Sequence, residues 1–288
     1  ADLDGLVDKY GAGMNLGDHV QGITMTDSGR LVVSISRQAD KPPLCGGMLA
    51  FSTPFDPENP DRDLDWNFYC NSDGGLEGHP SVIQAAGDII AVGTSWSDFG
   101  TTRSGSKYYY ISPQGDVKVL DHLSTSGGRD ATGLVYHPGE GRYYTLNANG
   151  TIESEKVDAE ICRTGKNESL LDTSTKFDDC RTISVPASGQ GSNLIVQSDG
   201  KLFLASAFSS DTGHLENTDY AQWVREGDYG VRCVAEGTGA IFAGYDVRTK
   251  YEDVVTLAEI DFIRGTSKTV YEENIERTQR AQTCVQQR

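Results

Sequence analysis

Four stretches of this chain share one pattern: a polar or glycine-bearing opening, an apolar run, a tight glycine-containing turn and a second apolar run. The clearest is 189–207, GQGSNLIVQSDGKLFLASA, where Ser198-Asp199-Gly200-Lys201 separates two strand-like runs. Asp-Gly between such runs is a strong hairpin signal, because glycine reaches positive φ without steric cost. The others open at His19 with the turn Thr26-Asp27-Ser28-Gly29, at Gly78-His79 with Gly87-Asp88, and at Asp130 with His137-Pro138-Gly139-Glu140-Gly141. The openings His19, His79, Asp130 and Ser192 are spaced by 60, 51 and 62 residues. Self-similarity at such a period predicts a repeat architecture in which each unit buries its apolar faces against its neighbours.

Four strands follow one another in the second unit (78–84, 89–93, 107–111, 117–120), which is the make-up of a propeller blade. The expected fold is all-β: a β-propeller of four-stranded antiparallel sheets around a central channel, in one domain over residues 1–288. Five long blades are expected, opening near 19, 79, 130, 192 and 240, with six if the fourth unit hides two. In the third unit Asn149-Gly150 turns into Thr151-Ile152, and 158–179 reads as a polar insertion. A fifth unit pairs Ala240–Tyr245 with Val254–Ile260, and the polar tail 271–288 suits a helix. No Gly-His…Trp-Asp signature occurs, so the array is not of the WD40 type. A β-sandwich is the competing arrangement, since short strands with turn signals suit it too.

Forty-two acidic against 25 basic residues leave a net charge of −17. That excludes a nucleic-acid footprint, which needs clustered Lys and Arg, and disfavours docking on anionic lipid. No run approaches the roughly 18 apolar residues of a membrane span. Six cysteines without a C-x-x-C pair read as disulfides rather than a zinc site. Sequence neighbours give the simplest of 15 pairings: Cys45–Cys70, Cys162–Cys180 and Cys233–Cys284. Asn149-Gly150-Thr151 and Asn167-Glu168-Ser169 are glycosylation sequons. The N-terminus suits a mature end left after removal of a signal peptide. A secreted, extracellular or periplasmic monomer is expected; a cytosolic protein with free thiols is the alternative.

The run Ser192-Asn193-Leu194-Ile195-Val196-Gln197-Ser198-Asp199-Gly200-Lys201-Leu202-Phe203-Leu204-Ala205 resembles the gluconolactonase/strictosidine-synthase-like propellers, which carry an Asn-Gly-Leu/Ile run followed by Ser-x-Asp-Gly-Lys. Residues 19–34 look like the glycine-bearing first-strand pattern of that family. The resemblance implies a central divalent cation, Ca2+ among the candidates, with Asn193 as a ligand. Leu194 stands where the family usually has glycine.

In a propeller the first strand of each blade lines the channel, so polar residues at blade openings converge although far apart in sequence. Here these are His19, Gln21, His79, Gln84, Asp130, Thr132, Gln190, Ser192 and Asn193, with Glu77 and Arg129 just before two of the openings. The plain alternative is that they satisfy backbone groups and hold channel water. His19 and His79 occupy equivalent positions; with Asp130 or Glu77 they could act as general bases or hold a metal. Asp61-x-Asp63-x-Asp65 has the spacing of a Ca2+ loop, but Trp66 and Ser72 stand where an EF-hand needs Gly and Glu. Tyr108–Tyr110, Trp96, Trp223 and Tyr143-Tyr144 are candidate sugar-stacking platforms or inter-blade packing. No nucleophile elbow, zincin helix, phosphate loop or dinucleotide fingerprint is present.

Three functions fit: a secreted propeller binding a small molecule or carbohydrate in its funnel, a metal-assisted, lactonase-like hydrolase in the channel, or a protein-interaction scaffold.

Overall fold

The computed structural model describes residues 19–36, 47–56, 65–70, 79–98, 101–126, 131–149, 156–186, 191–209, 229–237, 239–246 and 253–275. Blade 1 is β1 (His19–Met25), β2 (Leu31–Ser36), β3 (Gly47–Ser52) and β4 (Trp66–Tyr69). Blade 2 is β5 (His79–Ala86), β6 (Ile89–Asp98), β7 (Thr101–Ile111) and β8 (Val117–Val119), with β9 (Thr125–Ser126) added to β7. Blade 3 is β10 (Ala131–His137), β11 (Arg142–Asn149), β12 (Lys156–Arg163) and β13 (Asp179–Pro186). Blade 4 begins with β14 (Gly191–Val196) and β15 (Leu202–Ser209); the chain then forms the hairpin β16 (Tyr229–Gly237) and β17 (Gly239–Asp246). It returns to complete blade 4 with β18 (Asp253–Asp261) and β19 (Thr266–Ile275). Every pairing is antiparallel. The protein is an all-β propeller, with four four-stranded blades among the described residues.

The first strands are neighbours around the axis: β1 beside β5, β5 beside β10, β10 beside β14, and β17 against both β14 and β1. Runs such as Leu31-Val32-Val33 and Ile89-Ile90-Ala91-Val92 are apolar on both faces because each blade is sandwiched between two others. Val32, Leu49 and Phe51 of blade 1 thus meet Ile83, Ile90, Val92, Tyr109 and Ile111 of blade 2. Val135, Leu146, Ile161 and Ile183 of blade 3 meet Leu194, Leu204, Ile260 and Phe262 of blade 4. Such seams remove apolar surface from water, worth about 25 cal/mol per Å2.

Several expectations are corrected. The strand over 254–260 does not pair with 240–245. It lies against β15, with Leu204 opposite Ala258 and Ala205 opposite Leu257, so the expected fifth unit is a two-stranded hairpin inserted within blade 4. Residues 158–179 are not an insertion throughout: Lys156–Arg163 and Asp179–Pro186 are the third and fourth strands of blade 3. The expected turn into Thr151-Ile152 lies outside the described residues. Tyr271–Ile275 continues β19 rather than opening a helix. The β6–β7 hairpin runs on to Asp98 and Thr101, beyond the expected strand ends.

Cys162 lies directly opposite Cys180 and is bonded to it, with Cα atoms 4.0 Å apart, near the spacing of a non-hydrogen-bonded antiparallel pair. This pairing was expected. Cys70 is also disulfide-bonded; Cys45 and Cys284 lie outside the described residues, and Cys233 sits on β16.

The hairpin turns are tied to one another at one end of the ring. Asp27 N–H donates to Gly87 O (3.1 Å), Ser28 N–H to Asp88 Oδ1 (2.9 Å), and His137 Nε2 bonds Gly200 O (2.9 Å). Positive φ at Gly29, Gly87, Gly141 and Gly200 makes these turns possible.

Candidate functional site

A blade's first strand pairs on one edge only, so its other edge presents unpaired N–H and C=O groups to the axis, and these need partners. Gln84 on β5 supplies several. Its side chain is 5% exposed; Oε1 accepts from Leu134 N–H of β10 (3.0 Å) and Leu194 N–H of β14 (2.9 Å), and Nε2 donates to Leu194 O (2.6 Å). The carboxamide pairs with the edge of β14 as a neighbouring strand's peptide group would, and so joins blades 2, 3 and 4 across the axis. Gly133 makes room for it: a Cβ there would stand 3.1 Å from Gln84 Oε1 and 3.2 Å from Leu194 N. Expected as a ligand-binding residue, Gln84 is engaged with backbone at every one of these contacts.

A buried polar layer lies in the seam between blades 2 and 3, toward the strand-start end. Ser106 Oγ donates to Asn147 Oδ1 (2.6 Å), and Thr132 Oγ1 stands 2.8 Å from Ser106 Oγ. Since the serine proton goes to Asn147, Thr132 is the donor to Ser106. Tyr108 and Thr145 form a second chain: Thr145 Oγ1 donates to Gly133 O (2.9 Å), leaving the Tyr108 hydroxyl to donate to Thr145 (2.6 Å). Burial pushes the Tyr108 phenol far above its ordinary pKa, so it stays a neutral donor. Thr132 was expected at a site; Ser106, Asn147 and Thr145 were not, and nothing in their local sequence distinguishes them from exposed strand residues.

Asn193 is different. It is 4% exposed on β14, on the strand face shared with Ile195 and opposite to Leu194, and its carboxamide makes no hydrogen bond with a described residue. A buried carboxamide with no partner among the described residues suits a ligand, an ion or water.

His19 and His79 are the first residues of β1 and β5, and Ser192 is the second of β14. Gln21 lies within β1. Their strands place them, and their side chains are outside the described set. Glu77, Arg129, Asp130 and Gln190 are outside it altogether, as are Asp61, Asp63 and Trp223. Both histidine-bearing strands break register beside the histidine, β1 between Val20 and Gly22, β5 between Pro80 and Ile83. Pro80 has no N–H for a regular ladder. Such bulges re-aim side chains and are common next to active sites.

Other clusters are structural. Tyr108 and Tyr109 are fully buried on opposite faces, which makes them inter-blade packing. In the seam between blades 3 and 4, Arg163 donates to Asp179 Oδ2 (2.7 Å), Glu140 Oε2 (3.0 Å) and the Tyr144 hydroxyl (3.1 Å), with its guanidinium 4.5 Å from the Phe262 ring centre. Tyr144 donates to Glu140 Oε2 (2.7 Å), and burial pushes its pKa up to about 12. Glu160, Cys162 and Cys180 come together, but both sulfurs belong to the disulfide. Asn167, of the second sequon, is exposed in a loop at φ 59°, and Asn149 ends β11.

No family model matches the chain, and no curated protein matches it. Among solved structures, a mutant GH32 β-fructofuranosidase of Bombyx mori in complex with sucrose superposes with a TM-score of 0.40 at 11% identity, covering 96% of this chain and 56% of that one. The chain thus spans little more than half the length of that protein.

Proposed function

We propose that this propeller is a secreted protein that binds a small molecule or carbohydrate at the strand-start end of its channel. The observation that carries the reading is the contrast between the two ends. One is laced by turn-to-turn hydrogen bonds and backed by the Gln84 bridge. At the other, the first strands carry His19, His79, Thr132 and Ser192 within their first two residues, and the two histidine-bearing strands break register beside the histidine. Convergent polar groups on a rigid scaffold are the ordinary make-up of a small-molecule site. His19, His79, Asp130, Ser192 and Gln190 would contact the ligand, with Gln21 and Arg129 beside them, while Thr132, fully buried and bonded to Ser106, would hold the seam behind them. The Cys162–Cys180 bond accords with an oxidising compartment, and among the described residues no helix is long and apolar enough to cross a membrane. Titration calorimetry over a saccharide and metabolite panel tests the reading: binding that His19→Ala and His79→Ala both weaken supports it, and silence across the panel refutes it.

A metal-assisted hydrolase is the second reading, favoured by Asn193. Its carboxamide oxygen, with no partner among the described residues, is a suitable ligand for a hard cation such as Ca2+, which takes six to eight oxygens, and Glu77 and Asp130 would add charge. When bound, the cation would polarise a substrate carbonyl. Elemental analysis of protein purified without chelator, with thermal unfolding in added Ca2+, tests it; no bound metal and no Ca2+ stabilisation would overturn it.

A further inference from the structure

The turn end of the ring carries an aromatic surface that the strand-start site does not use. Tyr136 closes toward the end of β10, directly opposite Tyr143 on β11, with ring centres 4.8 Å apart and planes inclined at 51°. Tyr136 is 39% exposed, one of the few large apolar side chains so open among the described residues, while its partner Tyr143 is half-buried. Neither hydroxyl has a hydrogen-bond partner among the described residues. Asp27, from the blade 1 turn, stands close enough for its charge to join burial and Tyr136 in raising the Tyr143 pKa. Its carboxylate is exposed and forms no ion pair or side-chain hydrogen bond with a described residue, although its backbone N–H is fixed to Gly87 O at 3.1 Å. The Asp88 carboxylate accepts from Ser28 N–H through Oδ1, and its other oxygen, next to the Asp27 turn, has no hydrogen-bond partner among the described residues.

We infer that this surface is a second, independent ligand site, for a pyranose with equatorial hydroxyls such as a β-linked glucoside. The electron-rich face of an aromatic ring attracts C–H groups. A β-glucopyranose presents axial C–H groups on both ring faces, which stack on Tyr136, and equatorial hydroxyls around its rim. Those hydroxyls are donors matched to Asp27 and Asp88, and acceptors or donors for the two phenols. The platform is preorganised, since the turns that carry Asp27, Asp88 and Tyr136 are hydrogen-bonded to one another or to the next blade, so little ordering opposes binding.

Titration of the full chain with cellotriose by calorimetry, to about 10 mM so that weak millimolar binding is seen, tests the site. Binding is expected for the wild type. Tyr136→Ala should weaken it at least about ten-fold, Tyr136→Phe should retain most of it, and Asp27→Asn should weaken it without loss of fold by circular dichroism. Absence of binding to the wild type, or binding that Tyr136→Ala leaves unchanged, overturns the inference. Either outcome leaves the strand-start reading standing, because His19 and His79 lie at the opposite end of the first strands.

Discussion

Replacing Gln84 tests how the ring is held at its axis. Gln84→Ala removes three hydrogen bonds and orphans Leu134 N–H, Leu194 N–H and Leu194 C=O. An unmet buried donor or acceptor costs about 1–3 kcal/mol. Water entering the space will recover part of that, so a loss of about 3–5 kcal/mol is expected from urea unfolding at unchanged m-value. Gln84→Glu is the sharper variant. Its carboxyl can still accept both N–H groups, but when ionised it sets an oxygen against Leu194 O, where the amide nitrogen now donates at 2.6 Å. Protonated, it regains the donor. Burial and the missing donor therefore raise the folded-state pKa of the introduced acid above the unfolded value of about 4.3. The folded protein then holds the proton longer as pH rises. The penalty relative to wild type should be smallest near pH 4 and grow toward neutrality, by at most about 1.4 kcal/mol per pH unit. A Gln84→Ala loss below about 1 kcal/mol, or a Gln84→Glu penalty flat between about pH 4 and 7, would refute the bridge.

Gly133→Ala should destabilise by about 1–3 kcal/mol, because its Cβ meets Gln84 and the Leu194 backbone at 3.1–3.2 Å; a neutral effect in thermal unfolding would show that the seam gives. Loss of the Cys162–Cys180 bond, whose partners are 18 residues apart, should cost about 3 kcal/mol by the chain-entropy model, read as the urea-midpoint shift of the Cys162→Ser/Cys180→Ser double variant, since a thiol would also reduce the Cys70 bond. Asp179 has its pKa held down by the hydrogen bond from Arg163, so its contribution is present above the unfolded carboxylate range and is lost as pH falls through the folded value. Wild type should therefore lose more stability than Asp179→Asn between about pH 4 and pH 2; equal acid sensitivity would count against the Arg163 pair.

The hairpins were legible because their turns are local chemistry. Asp199-Gly200 and Gly87-Asp88 demand positive φ whatever surrounds them, and blade 2 follows in unbroken order. Blade 4 was not legible, since β15 and β18 are separated by residues 210–252 and pair only through long-range packing. Lys156–Arg163 reads as polar because only Ala159, Ile161 and Cys162 of its described side chains are buried. At the site, first-strand placement followed from the repeat, but the purpose of Gln84 did not. A glutamine that bonds β10 and β14 has the same appearance in sequence as one awaiting a ligand. Ser106, Asn147 and Thr145 matter through partners 26–41 residues away, which no local pattern encodes.

Chemical-shift mapping of backbone amides during titration with a ligand found in the saccharide and metabolite panel tests the central claim most directly. Shifts centred on His19, His79, Thr132 and Gly191–Asn193 are predicted, at the strand-start end. Shifts confined to the hairpin turns at Asp27, Asp88 and Tyr136, or spread over the outer strands, would contradict it.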